Sequence, residues 1–260
     1  MKAWIKYIFF LLLISSWGYC QTTINIPVGT SEAGIQQLID NNPTAGTTFK
    51  FASGIFRVGN LKPKTGQVFE GSLTNGMPVT VLSGARELEN YAYCPTCCPL
   101  CVPQNGYPYV YTFSPSIIVQ ASYIKKGVIP AKGDKPEERF CHQSSPYCNV
   151  IQDMFIDGQP LNPNQWQWDA QYNTDSTLIT INKIFLSVNP AGKSVELGEK
   201  TWAFHGYPDF YYSSEKGING QIACNVTIRN FIVEKYASQA QHGAIEAGLN
   251  WKIENNEVRL

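Results

Sequence analysis

Two groups of residues have the types and spacing to do chemistry. The first is Cys94-x-x-Cys97-Cys98-x-x-Cys101, followed by Cys141-His142 and Cys148. Thiolates and an imidazole at such spacing can wrap a tetrahedral zinc ion. In an oxidising compartment the same thiols pair as disulfides, which is the favoured reading. Six cysteines then make three bridges around a loop without a core of its own, and the adjacent Cys97 and Cys98 take different partners. Cys224 stands apart and reads as a small buried core residue. The second group lies near the C-terminal end: Arg229, Glu234, Lys235, His242, Glu246 and Glu254. Carboxylates and an imidazole on neighbouring strands or turns can transfer protons. His242, beside Gly243, is the residue of first interest, with Glu246 and Glu234 behind it, although a lone loop histidine is more often solvated or structural. Glu254 falls one repeat after Arg229, which suits a surface ion pair. No Gly-rich phosphate loop, His-Glu-x-x-His or nucleophile elbow is present in the sequence. No cofactor is expected, with zinc or calcium left open.

The elements that must position these residues are strands. Val226-Thr-Ile228-Arg-Asn230-Phe-Ile-Val233 repeats as Trp251-Lys-Ile253-Glu-Asn255-Asn-Glu-Val258, with Ile228/Ile253, Asn230/Asn255 and Val233/Val258 each 25 residues apart. A fixed period of this length with local apolar alternation indicates stacked β-coils. Asn230 and Asn255 read as a stacked ladder at the turns, bonding backbone groups of neighbouring coils. Asn225-Val-Thr227 matches a glycosylation triplet, but its strand or ladder setting argues against use. Upstream, Thr30–Asn41 reads as one short helix with Ser31 as N-cap, Glu32 at the positive end of its dipole, and Ile35, Leu38 and Ile39 on one face. Such a helix suits the lid of a solenoid end. Thr47–Phe51, Gln67–Glu70 and Pro78–Leu82 read as strands, with turns at Ala52–Gly54, Lys62–Gly66 and Asn75-Gly76. From Tyr91 to Asn149 the pattern breaks into the Cys-rich segment. Val150–Leu161 reads as a strand with a tight Asp157-Gly158 turn. Thr177–Ile181, Lys183–Leu186 and Val195–Leu197 supply further strands. Trp166, Trp168, Trp202, Tyr207, Phe210, Tyr211 and Tyr212 are aromatic; exposed members of Tyr207–Tyr212 could stack on sugar rings, but core packing is at least as good a reading.

The order helix, apolar strand, Ala-Ser-Gly-Ile55-Phe-Arg57, Leu61-Lys-Pro63-Lys-Thr-Gly66, strand, Gly71, Val81-Leu-Ser-Gly84-Ala resembles the opening coils of the pectate-lyase-like superfamily. More narrowly it is similar to secreted right-handed parallel β-helix repeat proteins, and Ala223–Leu260 carries the same resemblance. The resemblance implies an all-β fold, a right-handed parallel β-helix (solenoid) with a short N-terminal capping helix and inserted Cys-rich and small β segments. It also implies a catalytic face of acids and bases acting on polysaccharide. A lyase needs a base for the proton α to a carboxylate and a cation to hold that carboxylate, and a glycosidase needs two carboxylates about 5–9.5 Å apart.

Bulk properties fit an exported β protein. The 260 residues are 43% hydrophobic, with 21 Gly and 16 Pro. Charged residues make up 15% and the net charge is zero, against roughly 25% charged in ordinary soluble chains. No basic excess drives binding to nucleic acid, and a neutral or weakly charged ligand fits better. Lys2 and Lys6, the apolar run Ile8–Ile14 and the exit to Cys20 have the layout of a secretory signal peptide. The run is short for a bilayer span. Acylation of Cys20 is disfavoured by the bulk of Tyr19. The expected organisation is a signal peptide (1–20), cap and first coils (21–90), Cys-rich insertion (91–149), small β-insertion (150–200), and further coils (201–260) that stop before the solenoid closes. The expected protein is secreted or at the cell surface, monomeric, and carbohydrate-active as a polysaccharide lyase or glycoside hydrolase. Its alternative is a non-catalytic adhesion or structural β-helix protein. The disulfide reading has a direct check. Mass analysis of the unreduced, signal-processed protein is expected to show Cys94, Cys97, Cys98, Cys101, Cys141 and Cys148 all lost to bridges; free thiols with stoichiometric zinc refute it.

Overall fold

The computed structural model describes residues 22–89, 109–120, 153–162, 165–172, 178–206, 222–237 and 243–259. The chain is mostly β-strand, with one short helix and several parallel sheets. The expected signal segment, 1–20, and the six clustered cysteines lie outside the described residues.

The chain first lays down β1 (Thr23–Ile26) and then α1 (Glu32–Asn41). Ser31 caps the helix as its sequence indicates, its hydroxyl accepting from Gly34 N at 3.1 Å. Ile35 and Ile39 are fully buried against the core. The Glu32 carboxylate accepts from Gly59 N at 2.9 Å, tying the helix start to the next pass of chain. Then come β2 (Thr48–Phe51), β3 (Gly54–Arg57), β4 (Val68–Glu70), the short hairpin β5 (Leu73–Thr74) and β6 (Met77–Pro78), β7 (Thr80–Ser83) and β8 (Ala85–Glu87). Gly54, placed in a turn by its sequence, instead opens β3 with φ +133°. After β8 follow β9 (Tyr109–Gln120), β10 (Met154–Ile156), β11 (Gln159–Pro160), β12 (Trp166–Tyr172), β13 (Leu178–Leu186) and β14 (Val195–Gly198). The last stretch holds β15 (Phe204–His205), β16 (Thr227–Arg229), β17 (Phe231–Glu234), β18 (Ile245–Glu246), β19 (Lys252–Glu254) and β20 (Glu257–Val258).

Two parallel sheets carry the organisation. One runs β1-β2-β4-β16-β19 and the other β3-β7-β17-β20. After β1, each pass of the chain contributes one strand to the first sheet and a later one to the second: β2 then β3, β4 then β7 beyond the β5-β6 hairpin, β16 then β17, β19 then β20. A third, narrower row pairs β15 with β18 and bridges Leu61 to Phe204, both in parallel. Register is continuous across the first sheet: Ile24, Phe49, Phe69, Ile228 and Ile253 stand opposite one another in turn. Alternation sends this row inward, and its first four members pack in the core while Ile253 stays 46% exposed. Phe49 stacks on Phe69 at 5.1 Å, Phe69 meets Phe204 edge-on at 5.0 Å, and Phe51 meets Phe56 and Phe231 at 5.1 and 5.2 Å. Each such buried ring contributes about 1.5–3 kcal/mol plus a smaller gain from ring geometry.

Two corners between the sheets use left-handed backbone: Asn230 and Asn255, with φ of 66° and 50°. Asn255 Nδ2 donates to Asn230 Oδ1 at 2.7 Å, so the two side chains form a ladder. Backbone capping falls to the next residue: Asn256 Oδ1 accepts from Phe231 N at 2.9 Å and its Nδ2 donates to Ile228 O at 3.0 Å. In the preceding pass the same corner is Gly71, because a Cβ there would lie 2.2 Å from Asn230 O. Asn225 is not in the ladder; it is an exposed left-handed corner with φ 56° ahead of β16. Cys224 is half-buried rather than a core residue, its thiol donating to Ile222 O at 3.3 Å.

Between β7 and β15 the chain builds antiparallel structure. β14 pairs with β8 and β10, and β10 with β11 across the Asp157-Gly158 turn. A second sheet orders β12-β13-β9. Sequence patterning missed β9 and β12, and split β13 in two at Asn182. The reason is a break in alternation. The β13–β9 register shifts between Ile181 and Lys183, opposite the stretch that contains Pro115, whose missing N–H suits a ladder interruption. Thus β9, from the Cys-rich stretch, and β12–β13, from the following stretch, share one sheet.

Close stacking makes one substitution diagnostic. Gly71→Ala is expected to lower stability by about 1–3 kcal/mol through forced separation of the corners, measured by chemical denaturation. Gly76→Ala, where a Cβ meets nothing within 4 Å, pays only for its positive φ and is expected to cost less.

Candidate functional site

The third parallel row brings together an imidazole and a carboxylate, a pair suited to proton transfer. β15 and β18 alternate an inward residue (Phe204, Ile245) with an outward one (His205, Glu246), and their register sets His205 opposite Glu246. His205 Nε2 and Glu246 Oε2 are 3.3 Å apart. The imidazole lies flat on Trp202, with ring centroids 4.3 Å apart and planes 7° from parallel. It is almost fully buried, whereas the Glu246 side chain keeps 21% of its exposure. A carboxylate in this position can fix the imidazole tautomer and stabilise its charged form. Reciprocally, the imidazole can orient the carboxylate or trade a proton with it. Glu246 was singled out from the sequence; His205 was not. Phe204-His205 has the inward–outward pattern of Ile245-Glu246, but it lies 41 residues earlier rather than 25, so the repeat hides it. His242 lies outside the described residues.

A second cluster surrounds Glu196, where the antiparallel segment meets the second parallel sheet. Arg57, Ser83 and Glu234 form one cross-strand row of that sheet. Glu196, on β14, faces this row with its side chain only 7% exposed. Arg57 Nη1 reaches Glu196 Oε1 at 2.6 Å, and Lys235 Nζ bonds Glu196 Oε2. Arg57 also pairs with Glu87 at 3.1 Å and donates to Ala85 O at 3.2 Å. Lys235 is itself 9% exposed, with Glu234 Oε1 at 3.4 Å and the Phe155 ring centroid at 5.4 Å. The sequence candidate Glu234 therefore sits among scaffold charges. Local backbone supports the arrangement: Lys235 is left-handed, φ 58°. Gly84 admits its close approach, since a Cβ there would lie 2.8 Å from Lys235 O. Beside it Tyr236 donates its hydroxyl to Val58 O at 2.7 Å. Burial, aided by Glu32 and Glu234, pushes that phenol well above its ordinary range, so it stays protonated.

Burial by itself would raise the Glu196 carboxyl. Hydrogen bonds from Lys235 and Arg57, with their charges, outweigh it and hold the group below its ordinary value. A further ion pair, Arg86 with Glu199 at 2.8 Å, joins the same strands, and Lys200 reaches Glu32 of the helix at 3.3 Å.

The third feature is the outer face of the first sheet. One outward row reads Asn25, Lys50, Glu70, Arg229, Glu254, and the other Thr23, Thr48, Val68, Thr227, Lys252. Arg229 pairs with Glu70 at 2.7 Å and reaches Glu254 at 3.9 Å; Lys252 pairs with Glu254 at 2.8 Å. The ion pair of Arg229 with Glu254 anticipated from the repeat is thus present but is the longer of two. Its stronger partner, Glu70, lies 159 residues away in sequence. Among the described residues no cluster of three or more His, Cys, Asp or Glu is placed to hold a metal ion, and no helix is long and apolar enough to cross a membrane.

No protein-family model matches the sequence, and no curated protein matches it. Among solved structures, the complex structure of XylC with xylose aligns over 91% of this chain with 14% identity and a TM-score of 0.49. The chain spans 40% of the length of that structure's chain.

The Glu196 cluster makes a testable claim on stability. A carboxyl held below its unfolded value stabilises the fold above the ordinary carboxylate range, and that stability is lost as pH falls through the lowered folded value. Glu196→Gln, which leaves Lys235 buried beside a neutral amide, is expected to cost on the order of 3 kcal/mol at neutral pH. The gap between variant and wild type is expected to close on acidification below about pH 4.5, as read by denaturant titrations at several pH values.

Proposed function

We propose that this chain is an exported right-handed parallel β-helix protein of the pectate-lyase-like kind, and that it processes polysaccharide as a lyase or glycoside hydrolase. The observation that carries the reading is the in-register stacking of one strand per pass into parallel sheets, Thr23 on Thr48 on Val68 on Thr227 on Lys252. Such stacking makes flat, elongated outer faces that repeat every ~4.8 Å, a shape suited to an extended polymer. The sequence resemblance and the signal-peptide layout support the same reading, with the protein exported from the cytoplasm. A glycan is its partner, and the protein acts as a monomer.

Within this reading Glu246 is the proton-handling group and His205 its positioning partner. Proton transfer to or from a sugar needs a carboxylate that substrate can reach, and Glu246 is the more exposed member of the pair. Glu234 and Lys235 belong to the scaffold. The rival reading, a non-catalytic surface or adhesion rod, draws support from the pairing of Arg229, Glu70, Glu254 and Lys252 with one another.

The experiment is incubation of the protein with a polysaccharide panel, scoring new reducing ends and unsaturated products. Release from at least one polymer is expected, falling by roughly 100-fold or more in Glu246→Gln. In His205→Asn a changed pH profile is expected rather than complete loss. Binding without release supports the rod, and neither binding nor release refutes the glycan reading.

A further inference from the structure

Asn225-Val226-Thr227 is the one Asn-x-Ser/Thr triplet in the 260 residues whose middle residue is not proline; Asn42-Pro43-Thr44 fails on that count. Two objections stand against it as an acceptor of N-linked sugar: a place in a strand and a place in an asparagine ladder. The structure removes both. Asn225 lies ahead of β16 and not in it, and the ladder is made by Asn230 and Asn255 instead. Asn225 is exposed, and among the described residues no hydrogen bond holds its side-chain amide.

Backbone geometry explains why an asparagine is tolerated there. Gly46, Gly66, Asn225 and Asn250 are all left-handed, with φ of 85°, 77°, 56° and 56°. Each stands just before a strand of the first sheet. Gly46 N donates to Gly66 O at 2.8 Å, Gly66 N to Cys224 O at 2.8 Å, and Asn225 N to Leu249 O at 2.9 Å, so these bends stack. Such a bend favours glycine or asparagine, and this alone accounts for either residue. Asn250 shares the bend and the exposure of Asn225, but Trp251-Lys252 follows it and makes no triplet. It supplies an internal control, the same bend without the acceptor sequence.

The backbone also sets when a sugar can be attached. Val226 is fully buried, Thr227 N donates to Gln67 O at 3.0 Å, and Val226 O accepts from Lys252 N at 2.8 Å. A transferase must read the triplet in an open chain, and the folded sheet withholds it. The exposed Asn225 amide can still carry a sugar that is already in place. We infer that Asn225 is an N-glycosylation acceptor, loaded during export before the first sheet closes over the triplet. Asn225 Nδ2 attacks the anomeric carbon of an oligosaccharide carried on a polyprenyl pyrophosphate. The Nδ2–C1 bond forms and the C1–O bond to pyrophosphate breaks. The pyrophosphate carrier leaves, and the amide proton passes to a base of the transferase. The inference rests on the export reading above and adds to it a covalent, solvent-facing glycan.

The test is expression in a eukaryotic secretory host, with the chain's own leader and, separately, with a leader of established function in place of residues 1–20. Intact mass is measured on total protein before and after peptide-N-glycosidase treatment. A glycosidase-sensitive mass increase is expected, and deglycosylation is expected to leave an aspartate at position 225. The increase is expected to vanish in Asn225→Gly, which keeps the left-handed bend, and in Thr227→Ala, and to persist in Thr227→Ser. Circular dichroism and denaturation midpoints check that Asn225→Gly folds as the wild type does. Protein made in a host without the transferase is expected to stay unmodified when offered folded to transferase and lipid-linked oligosaccharide, and to be modified when offered unfolded. No mass increase under the established leader overturns the acceptor, as does an increase that Asn225→Gly retains. Modification of the folded protein overturns the order of events. An increase under the established leader with none under the chain's own overturns the export reading and leaves the acceptor standing.

Discussion

The inward row of the first sheet, Ile24–Phe49–Phe69–Ile228, is the constraint on which the rest depends. Parallel pairing in strict register places like residues on like. Large apolar side chains therefore stack into one continuous interior, and the outward rows stack with them. A slip of one residue in any strand would turn its apolar set to solvent. That penalty is what locks the outward charges into their pairs and holds the Thr row in line. Corner geometry follows from the same requirement. Where passes stack closest, the corner positions are Asn230 and Asn255 in left-handed backbone and Gly71, where a neighbour's carbonyl lies in the place of a Cβ.

Where the stack is interrupted, charge rather than apolar area secures the joint. The antiparallel segment leaves the second sheet after β7 and rejoins the stack at β15. Its β14 strand returns Glu196 to the sheet surface between Arg57 and Lys235. Neither cation nor carboxylate could be buried there alone at acceptable cost. Together they fix one docking geometry, and Gly84 gives the Lys235–Tyr236 backbone room to reach it. The segment thus sits on the scaffold in a defined place while the parallel rows continue past it. The His205–Glu246 pair forms in the first row after the segment ends, from a strand that the insertion displaced far along the sequence.

Local features were legible from residue types because their causes are local. Ser31 caps a helix through its own hydroxyl, Asp157-Gly158 turns a hairpin by its own backbone preference, and Ile228/Ile253 and Asn230/Asn255 repeat because no insertion falls between them. Other features were illegible for equally definite reasons. Pro115 and the register break at Asn182 spoil the alternation by which β9 and β13 would be recognised whole. Asn256, not the repeated asparagines, caps the backbone; it stands one repeat after Phe231, an apolar position, so the repeat pointed away from it.

The sequence by itself determined the strand-rich class, the capped helix, the corner positions and the 25-residue step of the last two passes, since each depends on residues within a few positions or one period of each other. Only the tertiary structure decided that Glu70 is the partner of Arg229, that His205 faces Glu246, and that Glu196 lies between Arg57 and Lys235. These neighbours are set by sheet register across long insertions of unequal length, and register is a property of the assembled stack that no spacing along the chain encodes.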